Sequence, residues 1–182
     1  IIIDTTEATI TTITSTSPGN GTYTNPQIID IIVTFSENVT TSSSSLTLDT
    51  GATASYQSGS GGTAVVYRYT VADGQNSSDL NVSAFNVGDA VDAGSNAVTA
   101  SLPAGQNLAD NQAIVIDTTE PTISSITSTT PGDGTYPQGQ DIDIIVTFSE
   151  NITTSTSSLT LDTGGTASYP VSYTHLTLPT KR

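Results

Sequence analysis

Apolar and polar residues alternate along two stretches of the chain. The first covers residues 28–35 and the second covers residues 64–71. Alternation with a period of two predicts a β-strand with one buried face, because successive side chains of a strand point to opposite sides of its sheet. The residues predicted to face the core are Ile29, Ile31, Val33, Phe35, Val65, Tyr67, Tyr69 and Val71.

Shorter β-branched and apolar runs predict further strands, and turn signals such as "SPGNG" and "ADGQNSSD" separate them. These runs cover residues 9–15, 46–49, 53–56, 80–85, 97–102 and 113–117. The last two runs form either one bulged strand or two. About seven short strands with frequent turns in about 110 residues is typical of an all-β, immunoglobulin-like β-sandwich.

The sequence repeats itself with a period of 113 residues. Without a gap, "DIIVTFSENVTTSSSSLTLDT" aligns with "DIIVTFSENITTSTSSLTLDT", and 43 of the 56 positions aligned between residues 1–56 and 114–169 are identical. A period of this length fits a whole domain better than a solenoid unit. We therefore expect tandem repeats, with one complete immunoglobulin-like repeat in residues 1–116 and a truncated second repeat in residues 117–169.

The similarity between the two copies ends at Tyr169. Beyond this point the first copy continues "QSGSGGTAVVYRYTV", whereas the second reads "PVSYTHLTLPTKR". The segment "VSYTHLTLPT" resembles the translation of the transposon adapter used to prepare sequencing libraries. This resemblance implies that residues 170–182 are a non-native tail whose His175 has no function, and a natural terminus is the alternative.

The truncated copy lacks counterparts of two predicted strands of the complete copy, residues 65–71 and residues 80–85. Without the opposing strands, we expect its sandwich to stay open. The apolar residues expected to lose their cover are Ile142, Ile144, Val146 and Phe148.

The chain is strongly acidic. It contains 17 acidic and three basic side chains, for a net charge of −14, and Arg68 is the only basic residue before the tail. Such a surface repels nucleic acid and anionic lipid and attracts cations. The chain has no cysteine, and no stretch approaches the ~20 apolar residues of a membrane-spanning helix. We therefore expect no disulfide, no nucleic-acid partner and no insertion into a membrane.

Three motifs resemble those of bacterial immunoglobulin-like repeats, which occur in large surface proteins and adhesins. They are "VTFSENV" at residues 33–39, "VDAGSNAV" at residues 91–98 and "IDTTEPT" at residues 116–122. The second motif departs from the common Asp-x-Ala-Gly-Asn pattern through the inserted Ser95. The resemblance implies a secreted or cell-surface protein whose repeats contact neighbouring repeats of the same chain. Other domains would then contact carbohydrate or a host or cell surface.

Several acidic loops are expected at one end of the complete copy, because its strands run mostly antiparallel and each loop can be assigned to an end by counting strands. Gathered oxygen ligands suit Ca²⁺, which takes six to eight of them in irregular geometry. We therefore expect a Ca²⁺ site at the junction between repeats. The alternative is that these residues only form turns and keep the chain soluble. The candidate ligands are Asp4, Glu7, Glu37, Asp89, Asp92 and Asn96, with Asp117, Glu120 and Glu150 as their equivalents in the second copy.

Catalysis is not expected, since the only histidine lies in the tail and a Ser-His-Asp or metal-histidine site needs that residue. The expected function is that of a structural spacer that projects a terminal binding domain, with Ca²⁺ limiting bending at the junctions. The alternative is a carbohydrate-binding surface module that uses the Thr-rich "TTITSTS" segment. An exposed aromatic cluster would favour this alternative.

Overall fold

The computed structural model describes residues 3–17, 19–130 and 132–169. The expectation of a non-native tail in residues 170–182 therefore lies outside the described residues. The chain forms two compact units, Ile1–Thr119 and Glu120–Arg182.

The first unit contains eight strands and one short helix among its described residues, and the expectation of an all-β chain is confirmed. The strands are β1 (Ile10–Ser17), β2 (Gly21–Tyr23), β3 (Ile28–Val39), β4 (Ser45–Leu48), β5 (Thr53–Ser58), β6 (Gly62–Thr70), β7 (Val82–Asn86) and β8 (Ile114–Ile116). The helix, α1, covers Leu108–Asn111.

Six strands form one antiparallel sheet in the order β1-β3-β6-β5-β4-β7. This sheet curls. Three strands separate β3 from β7 in the sheet, yet the ring centroids of Phe35 on β3 and Phe85 on β7 lie only 5.8 Å apart. Tyr67 on β6 also packs edge-on against Phe85, at 6.3 Å. The curl therefore encloses the apolar face of the sheet.

The core consists of the inward-facing residues of the curled sheet, of β8 and of α1. The eight residues predicted to face the core in β3, in β6 and directly after β6 are all buried, which confirms the alternating pattern in both strands. Residues that other segments add include Ile10, Ile13, Leu46, Leu48, Leu80, Val82, Leu108, Ile114 and Ile116.

The structure differs from the predicted elements in three places, and the prediction of a strand over 97–102 is wrong. The stretch 97–102 forms no strand, because its backbone hydrogen bonds go to separate segments: the Val98 N–H donates to Ala90 and the Thr99 N–H donates to Ala8. The short strand β2 was not predicted, and it pairs in parallel with β8. The helix α1 was not predicted either, although Asn107 and Asp110 form a capping box at its start.

The chain enters and leaves the first unit at opposite ends. Near the C-terminal end of β3, the N–H of Ser36 donates to the carbonyl of Thr9, so the segment before β1 lies at this end. At the other end of β3, Ile28 pairs with Thr70, where β6 stops. The segment that follows β6 contacts the segment that follows β8, because the N–H of Gly74 donates to Oγ1 of Thr118 at 3.0 Å.

The second unit contains four short strands in two separate antiparallel pairs among its described residues. The strands are β9 (Ile123–Thr130), β10 (Asp143–Phe148), β11 (Ser158–Thr160) and β12 (Thr166–Ser168). No side chain whose burial is described between residues 120 and 169 is buried. Of the residues expected to lose their cover, Ile142 is exposed, whereas Ile144, Val146 and Phe148 are partly buried. Other exposed apolar residues include Ile123, Ile126, Ile145 and Leu161.

Candidate metal centre

Three carboxylates from distant parts of the sequence meet at the end where the chain enters the first unit. They belong to Asp4, Glu37 and Asp92, and one oxygen atom of each lies within 4.8 Å of an oxygen atom of each of the other two. Asp4 is exposed, Glu37 is partly buried, and Asp92 is only 4% exposed. In the described part of the chain this is the only group of three or more such side chains.

Irregular pairing at the end of β3 places Glu37 at this site. The register between β3 and β6 shifts between Thr34 and Val39, so Glu37 lies within the irregular stretch and outside the regular ladder. Just beyond it, Thr40 and Val91 exchange two backbone hydrogen bonds of 2.8 and 3.0 Å. This bridge brings Asp92 to the end of β3.

A tight turn holds Asp92. Its carboxylate accepts hydrogen bonds from the backbone N–H of Asn96 at 2.8 Å and from Nδ2 of the same residue at 2.9 Å. Ser95 adopts a left-handed backbone conformation within this turn, with φ of 66°. Ser95 therefore provides the bend that returns the chain to Asp92.

Asn96 also holds the N-terminal segment against this turn. Its Nδ2 lies 3.3 Å from the carbonyl oxygens of both Asp4 and Thr6. Gly94 makes the approach possible, because a Cβ atom at this position would lie 3.1 Å from the Asp4 carbonyl oxygen and 2.8 Å from Asn96 Nδ2. Asp4 itself caps a local turn by accepting from the Thr6 N–H at 3.1 Å.

The three carboxylates carry unbalanced negative charge. Arg68 is the only basic side chain in the described residues, and it forms an ion pair with Asp30 elsewhere, with an Nε to Oδ1 distance of 2.8 Å. Partial burial, and then the charges of Asp4 and Asp92, raise the pKa of Glu37. Burial acts to raise the pKa of Asp92 as well, but hydrogen bonds from Asn96, Gly94 and Ser95 outweigh it and lower that pKa.

Two other predicted ligands have different partners. The carboxylate of Asp89 accepts hydrogen bonds from the hydroxyl of Ser42 at 2.6 Å, from the N–H groups of Ser42 and Ser43, and from the hydroxyl of Thr41. These bonds, first those from Ser42, hold its pKa well below the usual range. Glu7 accepts from the Thr99 hydroxyl at 2.8 Å. Neither residue belongs to the group of three carboxylates.

The candidates of the second copy have no complete cluster among the described residues. Asp117 caps a turn by accepting from the Thr119 N–H at 3.0 Å, as Asp4 does from Thr6 in the first copy. Glu120 is exposed, and Glu150 is partly buried. The repeat that would supply an equivalent of Asp92 does not continue beyond Tyr169 in this sequence.

Asp89 also supports a polar network that the sequence pattern does not predict. The Thr41 hydroxyl contacts the Ser44 hydroxyl at 2.7 Å, and this in turn contacts the Tyr67 hydroxyl at 2.8 Å inside the core. Burial raises the pKa of Tyr67 to about 12, although the hydrogen bond with Ser44 opposes the shift. The only signal in the sequence was a tyrosine on an apolar face, since a buried tyrosine hydroxyl needs a polar partner.

The oxygen-rich site has the chemistry of a site for a hard cation. Its carboxylates can act as mono- or bidentate ligands, and Ca²⁺ accepts such oxygens in irregular geometry.

No protein family, curated protein or solved structure matches the chain. No helix in the described ranges has the length and apolar character needed to cross a membrane.

Proposed function

We propose that the first unit is an immunoglobulin-like sandwich and a structural spacer repeat of a secreted or cell-surface bacterial protein. The strand order supports the fold assignment. If β1 to β8 are strands A, A′, B, C, D, E, F and G, then β1-β3-β6-β5 is the A-B-E-D sheet and β4-β7 is the C-F pair of an immunoglobulin domain. Strand β8 continues the C-F side through the hydrogen bond from the Leu80 N–H to the Ile114 carbonyl.

The chain enters the first unit at one end and leaves it at the other, and this observation carries the functional proposal. A unit that the chain enters at one end and leaves at the other lengthens the protein whenever it is repeated. The 113-residue period supplies that repetition, and the acidic surface keeps a long exposed chain soluble. Neighbouring repeats of the same chain are the main partners in this proposal, while other domains make the contacts with a surface.

Calcium at the cluster of Asp4, Glu37 and Asp92 would stiffen such a spacer. Asp4 belongs to the segment that enters the domain, whereas Glu37 and Asp92 belong to the body of the domain. A cation shared by these residues would hold the entering segment against the domain and limit bending at the junction. At about 100 times its dissociation constant, Ca²⁺ would stabilise the unit by about 2.7 kcal/mol.

The calcium proposal is tested by thermal melting of the full chain in millimolar Ca²⁺, in Mg²⁺ and in chelator. We expect the melting temperature of the first unit to rise in Ca²⁺, and Asp92→Asn to abolish this rise. Asp79→Asn is the matched control, because Asp79 is exposed, lies outside the cluster and undergoes the same change in charge. An equal rise in both variants, or none in the parent chain, would contradict a site at this cluster.

The spacer proposal is tested by adding one, two and three further copies of residues 1–113 before the chain. The maximum dimension measured by small-angle X-ray scattering should grow by a constant increment per copy. The chains should also become more flexible in chelator. Dimensions that level off as copies are added would contradict the proposal.

The alternative, a carbohydrate-binding module, receives less support. Sugar-binding surfaces use exposed aromatic rings, but Tyr67 and Tyr69 are at most 1% exposed and belong to the core of the first unit.

A further inference from the structure

The strand β10 has one edge that no strand occupies among the described residues. It pairs with β9 on one side only. The segment "DIIVTF" of β10 also occurs in β3, where the strand has a neighbour on each side. An unpaired edge presents a row of backbone N–H and C=O groups to any extended segment that can pair with it.

In the first unit, the strand on this side of the same segment is β6. There, β6 pairs with β3 in a continuous antiparallel register from Ile28 opposite Thr70 to Thr34 opposite Ala64. In the middle of this ladder, Ile32 lies opposite Val66 and Ile31 lies opposite Tyr67. The same register on β10 would place Ile145 opposite Val66.

Charge also matches along this edge. In the first unit, Arg68 of β6 makes two hydrogen bonds of 2.8 Å to the carboxylate of Asp30, which lies directly opposite in the ladder. Asp143 stands at the equivalent position of β10 and is exposed. A basic residue at this position of an added strand would find the partner that Arg68 has in the first unit.

We propose that the free edge of β10 is an acceptor for an extended segment with the residue pattern of β6. Such a segment has an apolar row that continues the row of Ile144 and Val146, and a basic residue opposite Asp143. Two-stranded pairs are marginally stable in water, whereas three strands with an apolar face are more stable, and this difference favours addition of a third strand. The occupant is the β6 segment of a second copy of this chain, which becomes available when the first unit of that copy opens.

Disulfide trapping tests both the binding and the register, since the chain contains no cysteine. The probe is a synthetic peptide of residues 62–71 carrying Val66→Cys, and the acceptor is the full chain carrying Ile145→Cys. Residues directly opposite each other in an antiparallel pair have Cβ atoms about 4.5–5.5 Å apart, close enough for a bridge after small adjustment. We expect this pair to cross-link readily in mildly oxidising buffer.

Two controls define the expected specificity. A peptide carrying Val65→Cys presents its thiol on the other face and should cross-link poorly. The full chain carrying Ile32→Cys has the same local sequence, but its edge already holds β6, so it too should react poorly. No cross-link at Ile145→Cys would overturn the proposal, and so would equal yields in the two peptides or at the two acceptor positions.

A charge reversal supplies an independent readout. Arg68→Glu in the peptide should lower the cross-linking yield, by about fivefold or less for a cross-strand charge pair. Asp143→Lys in the acceptor should restore the yield with this peptide. Yields that do not respond to either change would show that the peptide does not bind in the register of β6, and would overturn the assignment.

Discussion

The segment "DIIVTF" occurs once in each unit, with nearly the same neighbours in sequence and different neighbours in space. Residues beside this segment show the difference: Ile29, which directly precedes it, and Ile13 on the paired strand β1 are 0% exposed in the first unit. The equivalent Ile142 and Ile126 are 49% and 55% exposed in the second. Local structure is nevertheless alike. The Thr9 N–H donates to Oγ of Ser36 at 3.0 Å in one copy, and the Thr122 N–H donates to Oγ of Ser149 at 2.9 Å in the other.

Formation of this strand pair and its burial therefore depend on different parts of the sequence. The alternating pattern and the local hydrogen bonds specify the hairpin-like pair of β1 with β3 or of β9 with β10. Burial of that pair comes from β6, β7 and β8, which lie far along the sequence and exist only in the first unit among the described residues. The same apolar residues therefore contribute to stability in one copy and remain in contact with water in the other.

The largest difference between the copies is expected for the phenylalanine that ends the shared segment. Phe35 is buried against Phe85, so Phe35→Ala should lower the free energy of unfolding of the first unit by about 3–5 kcal/mol. Phe148→Ala removes the same side chain from a partly buried position and should change stability much less. Denaturant titration of the full chain measures both, and equal losses would contradict the comparison.

A smaller effect is expected where Asp89 joins two loops of the first unit. Asp89→Asn should lower the melting temperature of the first unit at neutral pH, because Asp89 accepts hydrogen bonds from Ser42 and Ser43. Its folded-state pKa is lowered, so this stabilisation is present above the ordinary pKa of an aspartate and is lost only as pH falls through the folded-state value. The difference between parent and variant should therefore shrink in strong acid. A difference independent of pH would show that the carboxylate charge is not responsible.

The smallest effect is expected at Glu37 in the absence of a divalent cation. Its pKa is raised in the folded state, so the stability of the first unit should fall as pH rises from the ordinary glutamate pKa through the folded-state value. Glu37→Gln should remove this dependence and leave the melting temperature in chelator unchanged or slightly higher. Glu150→Gln makes the same change in the second copy, outside the three-carboxylate group, and serves as the control. A clear drop in stability for Glu37→Gln in chelator would contradict repulsion within the cluster.

Much of the first unit follows from its sequence because strand periodicity is a local property. The core residues of β3 and β6 could be predicted in this way, and so could the end at which Glu37 and Asp92 emerge. The short β2 could not, since three residues carry no periodic pattern and its partner β8 lies about 90 residues away. The contacts of Asp89 could not be predicted either, because loop side chains find partners through tertiary geometry. An acidic loop residue therefore has the same local signal whether it faces a cation or caps its neighbours.

Amide hydrogen exchange of the full chain tests most directly whether remote strands, and not the segment itself, create the stable core. Intrinsic exchange rates depend on neighbouring side chains, so residues 30–38 and 143–151, which are identical, form an internal control. The amides can be resolved by NMR, or by mass spectrometry of peptides that include Val39 or Ile152, where the copies differ. We expect protection in β3 to exceed that in β10 by at least about a hundredfold. Equal protection in the two strands would contradict the account.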